Sequence, residues 1–231
     1  MFSLLDFVSP PICPCCKREL CMSSGRLCQN CEEQLPLLPK ERCPGCGGPN
    51  PGYLALCNDC IEIQGGRPWQ RAASALPFSG IARKLVHLYK FRTCLALAPF
   101  FAERMFEAWN AYCGDCNIDA ITYIPLHFTR YLTRGYNQSE ILADMLSRKL
   151  GMPKYKALKR LRRTSQQARL GFKARAANMA GAFEANSTCV EGKRILLVDD
   201  VFTTGATFGA ATRTLQKAGA AEVYVLSAAR A

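Results

Sequence analysis

Residues 199–207, Asp199-Asp200-Val201-Phe202-Thr203-Thr204-Gly205-Ala206-Thr207, join two adjacent carboxylates to a hydroxyl-rich turn around one glycine. Successive backbone N–H groups about Gly205 and Ala206, backed by the N-terminus of a following helix, form a nest for an anion. Thr203, Thr204 and Thr207 add hydroxyl donors for phosphate oxygens. Two carboxylates placed just before such a nest would repel a phosphate unless they faced a hydrogen-bond donor, and a ribose diol is one. Asp199 and Asp200 are therefore expected to read the 2′- and 3′-hydroxyls of a phosphorylated ribose. Either half of the run could arise as an acidic turn with a threonine N-cap; the whole run points to a ligand.

A second group of residues suits a metal. Ten of the 14 cysteines precede residue 61, and eight of them form four Cys-x-x-Cys pairs. Two such knuckles bring four thiolates into a tetrahedron, which suits Zn²⁺ because that ion has no competing geometric demand and binds soft sulfur. In sequential order, Cys13, Cys16, Cys28 and Cys31 make one site, and Cys43, Cys46, Cys57 and Cys60 the other. With every ligand a cysteine, neither ion keeps an open position for water, so both are expected to be structural. A disulfide scaffold is the competing reading, disfavoured by the reducing compartment inferred below. Cys15, Cys21 and the Cys113/Cys116 pair are expected to be unligated.

Elements must position these groups. Gly65-Gly66-Arg67-Pro68 reads as a linker, and beyond it short β-rich runs alternate with longer helical ones, the pattern of a parallel α/β sheet flanked by helices. Strands are expected over Ala72–Phe78, Asp119–Pro125, Lys193–Val198 and Glu222–Ser227. Helices are expected over Gly80–Phe91, Leu95–Trp109, Gly135–Leu150 and Thr207–Ala218, the last closed by Gly219. The acid–threonine turn then lies at the carboxyl end of a strand, where open α/β sheets bind ligands.

Charge is uneven. Residues 1–66 carry five Lys/Arg and seven Asp/Glu, net −2, whereas residues 67–231 carry 25 and 11, net +14. These two segments are the expected domains. The basic balance favours polyanionic partners without choosing among nucleic acid, acidic lipid and phosphorylated metabolites. Met145–Phe183 holds 11 Lys/Arg and no acid, and reads either as a solvated helical face or as a loop that contacts phosphate. No apolar run approaches the roughly 20 residues that cross a bilayer, so no membrane insertion is expected. Met1–Val8 lacks the basic and apolar regions of a secretory signal; a cytoplasmic location is expected.

The 195–207 segment resembles the signature with which type I phosphoribosyltransferases bind phosphoribosyl pyrophosphate (PRPP): four apolar residues, two acids, two apolar residues, then Thr-Thr-Gly-x-Thr. Phe202 stands where an aliphatic residue is usual. Upstream, Ile124-Pro125-Leu126-His127 and Arg134-Gly135-Tyr136-Asn137-Gln138-Ser139-Glu140 resemble a stretch of the ComF family of competence proteins. The cysteine pairs, Leu88-Tyr89-Lys90-Phe91, Gln166-Gln167 and Arg175-Ala176-Ala177-Asn178 fall in that family's order. The resemblance implies a double zinc ribbon before a type I phosphoribosyltransferase-like domain, with PRPP or a related phosphosugar bound together with Mg²⁺. It further implies handling of single-stranded DNA in uptake, alongside competence or recombination proteins. Leu126 and His127 would lie near the pyrophosphate; Arg134, Gln167 and Arg175 are candidates for that region or for a closing loop.

Transfer chemistry needs more than PRPP, because an acceptor must be held against the anomeric carbon. A hood over that acceptor is expected from residues 67–115 or from the zinc module. DNA handling with PRPP as a ligand, conventional phosphoribosyl transfer, and a zinc module serving as a protein-interaction platform remain as three readings.

Overall fold

The structure, a computed structural model, describes residues 12–18, 20, 27–63, 65–162, 179 and 181–231. Cys21, Arg163, Gln166, Gln167 and Arg175 to Asn178 lie outside them, so the expectations for the closing loop stay with the sequence.

Four parallel strands form the sheet, in the order β1 (Ala72–Pro77), β6 (Glu222–Arg230), β5 (Arg194–Phe202) and β2 (Ala120–Tyr123). They are buried almost without interruption along their length, as expected of a parallel sheet covered on both faces. One face is covered by α3 (Gly80–Phe91), α4 (Ala98–Cys113) and α6 (Gln138–Leu150), the other by α8 (Ala206–Lys217). Two short helices, α1 (Gln29–Glu33) and α2 (Asn58–Ile61), belong to the cysteine-rich segment. A two-stranded antiparallel ribbon, β3 (Leu158–Arg160) with β4 (Phe183–Ala185), and the short α7 (Ser187–Val190) complete the second face.

Three boundaries differ from the sequence reading, each for a local reason. The expected Gly135–Leu150 helix is α6, which begins only at Gln138, with the Asn137 side chain accepting from the Ser139 N–H; a helix not expected from the sequence, α5 (Phe128–Arg134), precedes it and closes on Gly135 at φ 76°. Leu95–Leu97 is a 3₁₀ turn, and Pro99 in the first turn of α4 starts the helix proper, which then runs on to Cys113. Strand β5 continues through Asp199 and Asp200 to Phe202, because its pairing with β6 continues to Arg230.

Both outer edges of the sheet are occupied. Beyond β2, Ile121 exchanges backbone hydrogen bonds with Pro153 and Tyr155. Beyond β1, the second cysteine segment takes the place of a strand: Ala72 N–H donates to Pro44 C=O, and the Arg42 guanidinium donates to Ser74 C=O. Gly47 lies against this edge so closely that a Cβ would fall 2.8 Å from Ser74 N, at a φ of 66°. The cysteine-rich segment also straddles β1. Cys13, Cys15 and Cys31 join the core on the α3/α4/α6 face, whereas Cys43, Cys46 and Cys60 join Trp69, Phe202 and Phe208 on the α8 face.

Candidate functional site

The eight cysteines assigned from spacing form two groups, Cys13/Cys16/Cys28/Cys31 and Cys43/Cys46/Cys57/Cys60, in each of which all four sulfurs lie within 4.8 Å of one another. A Zn–S bond of about 2.3 Å puts tetrahedral sulfurs about 3.8 Å apart; the Cys16–Cys28 and Cys46–Cys57 separations are 3.5 and 3.6 Å. Backbone geometry supports the fit, since Cys57 N–H donates to Cys43 Sγ at 3.3 Å, an outer-shell contact of the kind that orients metal ligands. Without a cation the sulfurs work against each other: hydrogen bonds from Cys46 and Cys60 drive the Cys43 thiol far down, while Cys43 and Cys46 drive Cys60 far up. A divalent ion lets all four be thiolates together. Cys15, Cys113 and Cys116 fall in neither group, and among the described residues no other set brings three or more ligating atoms together.

The second site of interest lies at the carboxyl end of β5. Asp199 accepts from the Ser139 hydroxyl at 2.7 Å and from the Asp200 N–H at 2.9 Å. Burial first, and the neighbouring Asp200 carboxylate second, push its carboxyl up to about 7; Lys90 and the Ser139 hydroxyl work in the opposite direction. Asp200 is buried and makes a 2.8 Å ion pair with Lys90 from α3. Lys90 is held there by contacts on both sides. Gln138 donates to the Lys90 C=O, Tyr136 donates to the Tyr89 C=O, and the Tyr89 hydroxyl donates to the Gln138 C=O.

The turn that follows is held from behind by two arginines. Arg67 donates to Thr204 C=O at 2.8 Å and Arg230 to Thr203 C=O at 2.9 Å. In a trans peptide the carbonyl and the next N–H point to opposite sides, so these anchors turn the N–H groups of Thr204 and Gly205 away from the arginines. Gly205 has φ 81° as the N-cap of α8, and a Cβ there would fall 2.6 Å from Arg67 Nη1 and 2.9 Å from Phe202. No side chain fits. Thr203 is exposed, Thr204 and Thr207 half-buried, and Thr204 Oγ1 accepts from Ala206 N–H at 3.4 Å. Arg67 also donates to Cys60 Sγ at 3.4 Å, so one side chain joins the second cysteine cluster to the turn.

Of the remaining sequence candidates, Leu126 and His127 sit in the loop after β2, beside β5, since Ile124 N–H bonds Val198 C=O. His127 caps α5, its Nδ1 accepting from Thr129 N–H. Arg134 approaches Gln138 Oε1 at 3.4 Å and lies over the Phe91 ring at 4.9 Å. Asn137 ties the loop to α6 by donating to Ile124 C=O. Sequence reasoning missed Lys90, Ser139, Arg67 and Arg230. The first two stand in stretches noticed for their order, and Arg67 was read as linker; nothing local marks any of them as a neighbour of residues 199–205.

Two family models match the chain: one described as a double zinc ribbon domain, over residues 4–61, and one described as a phosphoribosyl transferase domain, over residues 137–230. DNA utilization protein YhgH of Salmonella typhi is 32% identical over 225 residues, covering 94% of this chain and 95% of that protein. Competence protein F of Haemophilus influenzae is 29% identical over 225 residues, covering 95% and 96%. Among solved structures, the purine phosphoribosyltransferase from Pyrococcus horikoshii Ot3 matches 57% of this chain and 83% of its own, with 18% identity and a TM-score of 0.36. With the ribbon model over both cysteine groups, the two sites are structural zinc sites. No helix of the described residues is long and apolar enough to cross a membrane.

Proposed function

The chain belongs to the ComF family, a double zinc ribbon followed by a type I phosphoribosyltransferase-like sheet, and from that premise we propose that it binds PRPP at the 199–207 segment and handles single-stranded DNA in the cytoplasm during DNA uptake. The observation that carries the reading is the paired arrangement at the end of β5. Two carboxylates stand beside a turn whose carbonyls are anchored by Arg67 and Arg230. Asp199 and Asp200 read the ribose diol. The N–H groups around Gly205 and the hydroxyls of Thr203, Thr204 and Thr207 take the 5′-phosphate. Lys90 brings a cation to the same end of the sheet, where a pyrophosphate needs one. Leu126 and His127 face the pyrophosphate from the loop after β2.

Carboxylate oxygens suit Mg²⁺, and Asp199 and Asp200 are the residues of this chain that would hold it through the bound diol; its contribution would be to neutralise pyrophosphate charge. Calorimetric titration with PRPP and Mg²⁺ tests the reading. Asp200→Ala should abolish binding while the melting transition survives, and unchanged affinity would refute the assignment.

Phosphoribosyl transfer is the second reading, favoured by one observation: α3, in the region expected to supply a hood, carries Lys90, which pairs with Asp200. Release of pyrophosphate from PRPP with any nucleobase would establish it, and its absence across all bases would leave PRPP as a ligand.

A further inference from the structure

A row of aromatic side chains flanked by arginines runs over the surface beside this site. Arg83 lies over the Phe78 ring at 5.9 Å, Phe78 stacks on His87 at 6.0 Å with planes 27° apart, His87 meets Phe91 at 5.5 Å, and Arg134 lies over Phe91 at 4.9 Å. His87 and Phe91 are exposed, Phe91 at 55%, and so is Arg83; Phe78 and Arg134 are half-buried. The row continues along α5 at three-residue spacing, from Arg134 to Tyr131 and Phe128, which puts all three on one side of that helix. Phe128 is 66% and Tyr131 47% exposed, and α5 has no buried residue at all.

Nothing in a globular core explains a helix of this kind. Its ends are fixed by the His127 cap and by Gly135, not by an apolar stripe turned inward. Nor is it a wholly polar face, because Phe128, Tyr131 and Leu132 stand exposed on it beside Thr129 and Thr133.

We infer that this row is the platform on which single-stranded nucleic acid lies, its bases on Phe91, His87, Tyr131 and Phe128 and its phosphates against Arg83 and Arg134. The inference rests on the DNA-handling reading above and locates the surface that performs it. Two observations favour a nucleic acid over a protein or a second copy. First, arginines flank the rings, Arg83 at 5.9 Å from Phe78 and Arg134 at 4.9 Å from Phe91, with Phe78, His87 and Phe91 5.5 to 6.0 Å apart between them, so that a strand laying its bases on the rings finds cations for its phosphates alongside. Second, the segments that carry the row have no opposing charge: residues 63–102 and 120–139 contain no Asp or Glu, while the first of these segments alone has six Lys/Arg. A single strand fits better than a duplex because only unpaired bases expose their faces to rings. Lys90, next to Phe91 in α3, pairs with Asp200, so the helix that carries part of the platform also reaches the acid pair of β5.

The test is fluorescence anisotropy of a labelled oligothymidine of about 15 nucleotides with the full chain, across a salt series. The double variant Phe91→Ala/His87→Ala should weaken binding about tenfold or more. Arg83→Gln should reduce the slope of log affinity against log salt by about 0.7. Both changes lie at exposed positions, and PRPP titration with the same preparations checks that the fold and the neighbouring site are intact. Equal affinity of wild type and both variants would overturn the platform while leaving DNA handling in place. Absence of single-strand binding by the wild type would remove both. Loss of self-association in sedimentation with unchanged DNA affinity would reassign the row to a contact between copies.

Discussion

The two cysteine clusters and the acid pair of β5 both crowd groups of like charge into a small volume, and they resolve the repulsion by different means. In each cluster four sulfurs lie within 4.8 Å; Arg67 reaches one of them, Cys60 Sγ, and the balance is left to a divalent cation. At Asp199 and Asp200 the protein itself supplies the compensation, through Lys90 at 2.8 Å, the Ser139 hydroxyl and one backbone N–H. A site completed by an ion can be assembled from residues close together in the chain. A site completed by side chains must gather them from elsewhere, and here it draws on α3, α6 and the segment after the ribbon.

The largest effect should follow from taking the cation away. Structural zinc supplies on the order of 10 kcal/mol or more of folding free energy per site. Cys43→Ser should therefore lower the metal content from about two ions per chain to about one and bring the melting transition down sharply. Because Cys43 and Cys46 share a core with Trp69 and Phe202, the loss should reach the sheet and not the ribbon alone. Elemental analysis together with circular dichroism melts checks both parts.

Taking away the protein's own compensation should cost less. Lys90→Met leaves Asp200 buried beside Asp199 with no cation, and breaking one half of a buried pair costs about 3 to 5 kcal/mol. Urea denaturation would measure it, and the double change Lys90→Met/Asp200→Asn should recover most of the loss. If Lys90→Met alone costs nothing, the comparison between the two sites fails on this side.

The smallest effect is a pH dependence. Asp199 titrates near 7 in the folded chain against an ordinary value of 3.8, so the folded state holds a proton that the unfolded state has lost over that interval. Wild-type stability accordingly falls as pH rises from about 4 to 7 on account of this group. Asp199→Asn has no such loss, and its urea midpoint should gain on that of the wild type between pH 5.5 and 8. Protonation of the zinc thiolates acts on both proteins and cancels in the difference. A constant difference across the range would mean that Asp199 holds no extra proton in the folded chain.

The same contrast explains what could be read from the sequence. Each Cys-x-x-Cys knuckle is a local object, so eight ligands and their sequential pairing were legible from spacing. The 199–207 run was legible for the same reason: strand, acids, turn and helix start are contiguous. Its partners were not. Ser139 lies 60 positions from Asp199, and Arg67 lies 137 from Thr204. No periodicity links residues so far apart; the packing of α6 over the sheet brings in Ser139, and the path of the segment after the ribbon brings in Arg67. The missed α5 was a different failure, since a seven-residue helix with no buried residue has no inward apolar stripe to announce it, although Gly135 and Asn137 are a stop and a start written in the chain. The run of β5 past its acids depended on the length of β6, which a local reading had ended at Ser227.

The ribbon's place along β1 bears on how this protein behaves when metal is scarce. Pro44, Arg42 and Gly47 occupy the outer side of a parallel strand whose backbone would otherwise stand open. An open strand of small, uncharged residues such as Ala72-Ala73-Ser74-Ala75-Leu76 is a template for another chain's strand. Metal depletion should then produce aggregates through edge-to-edge pairing rather than a dispersed unfolded chain, which makes the zinc sites guardians of solubility as well as of shape.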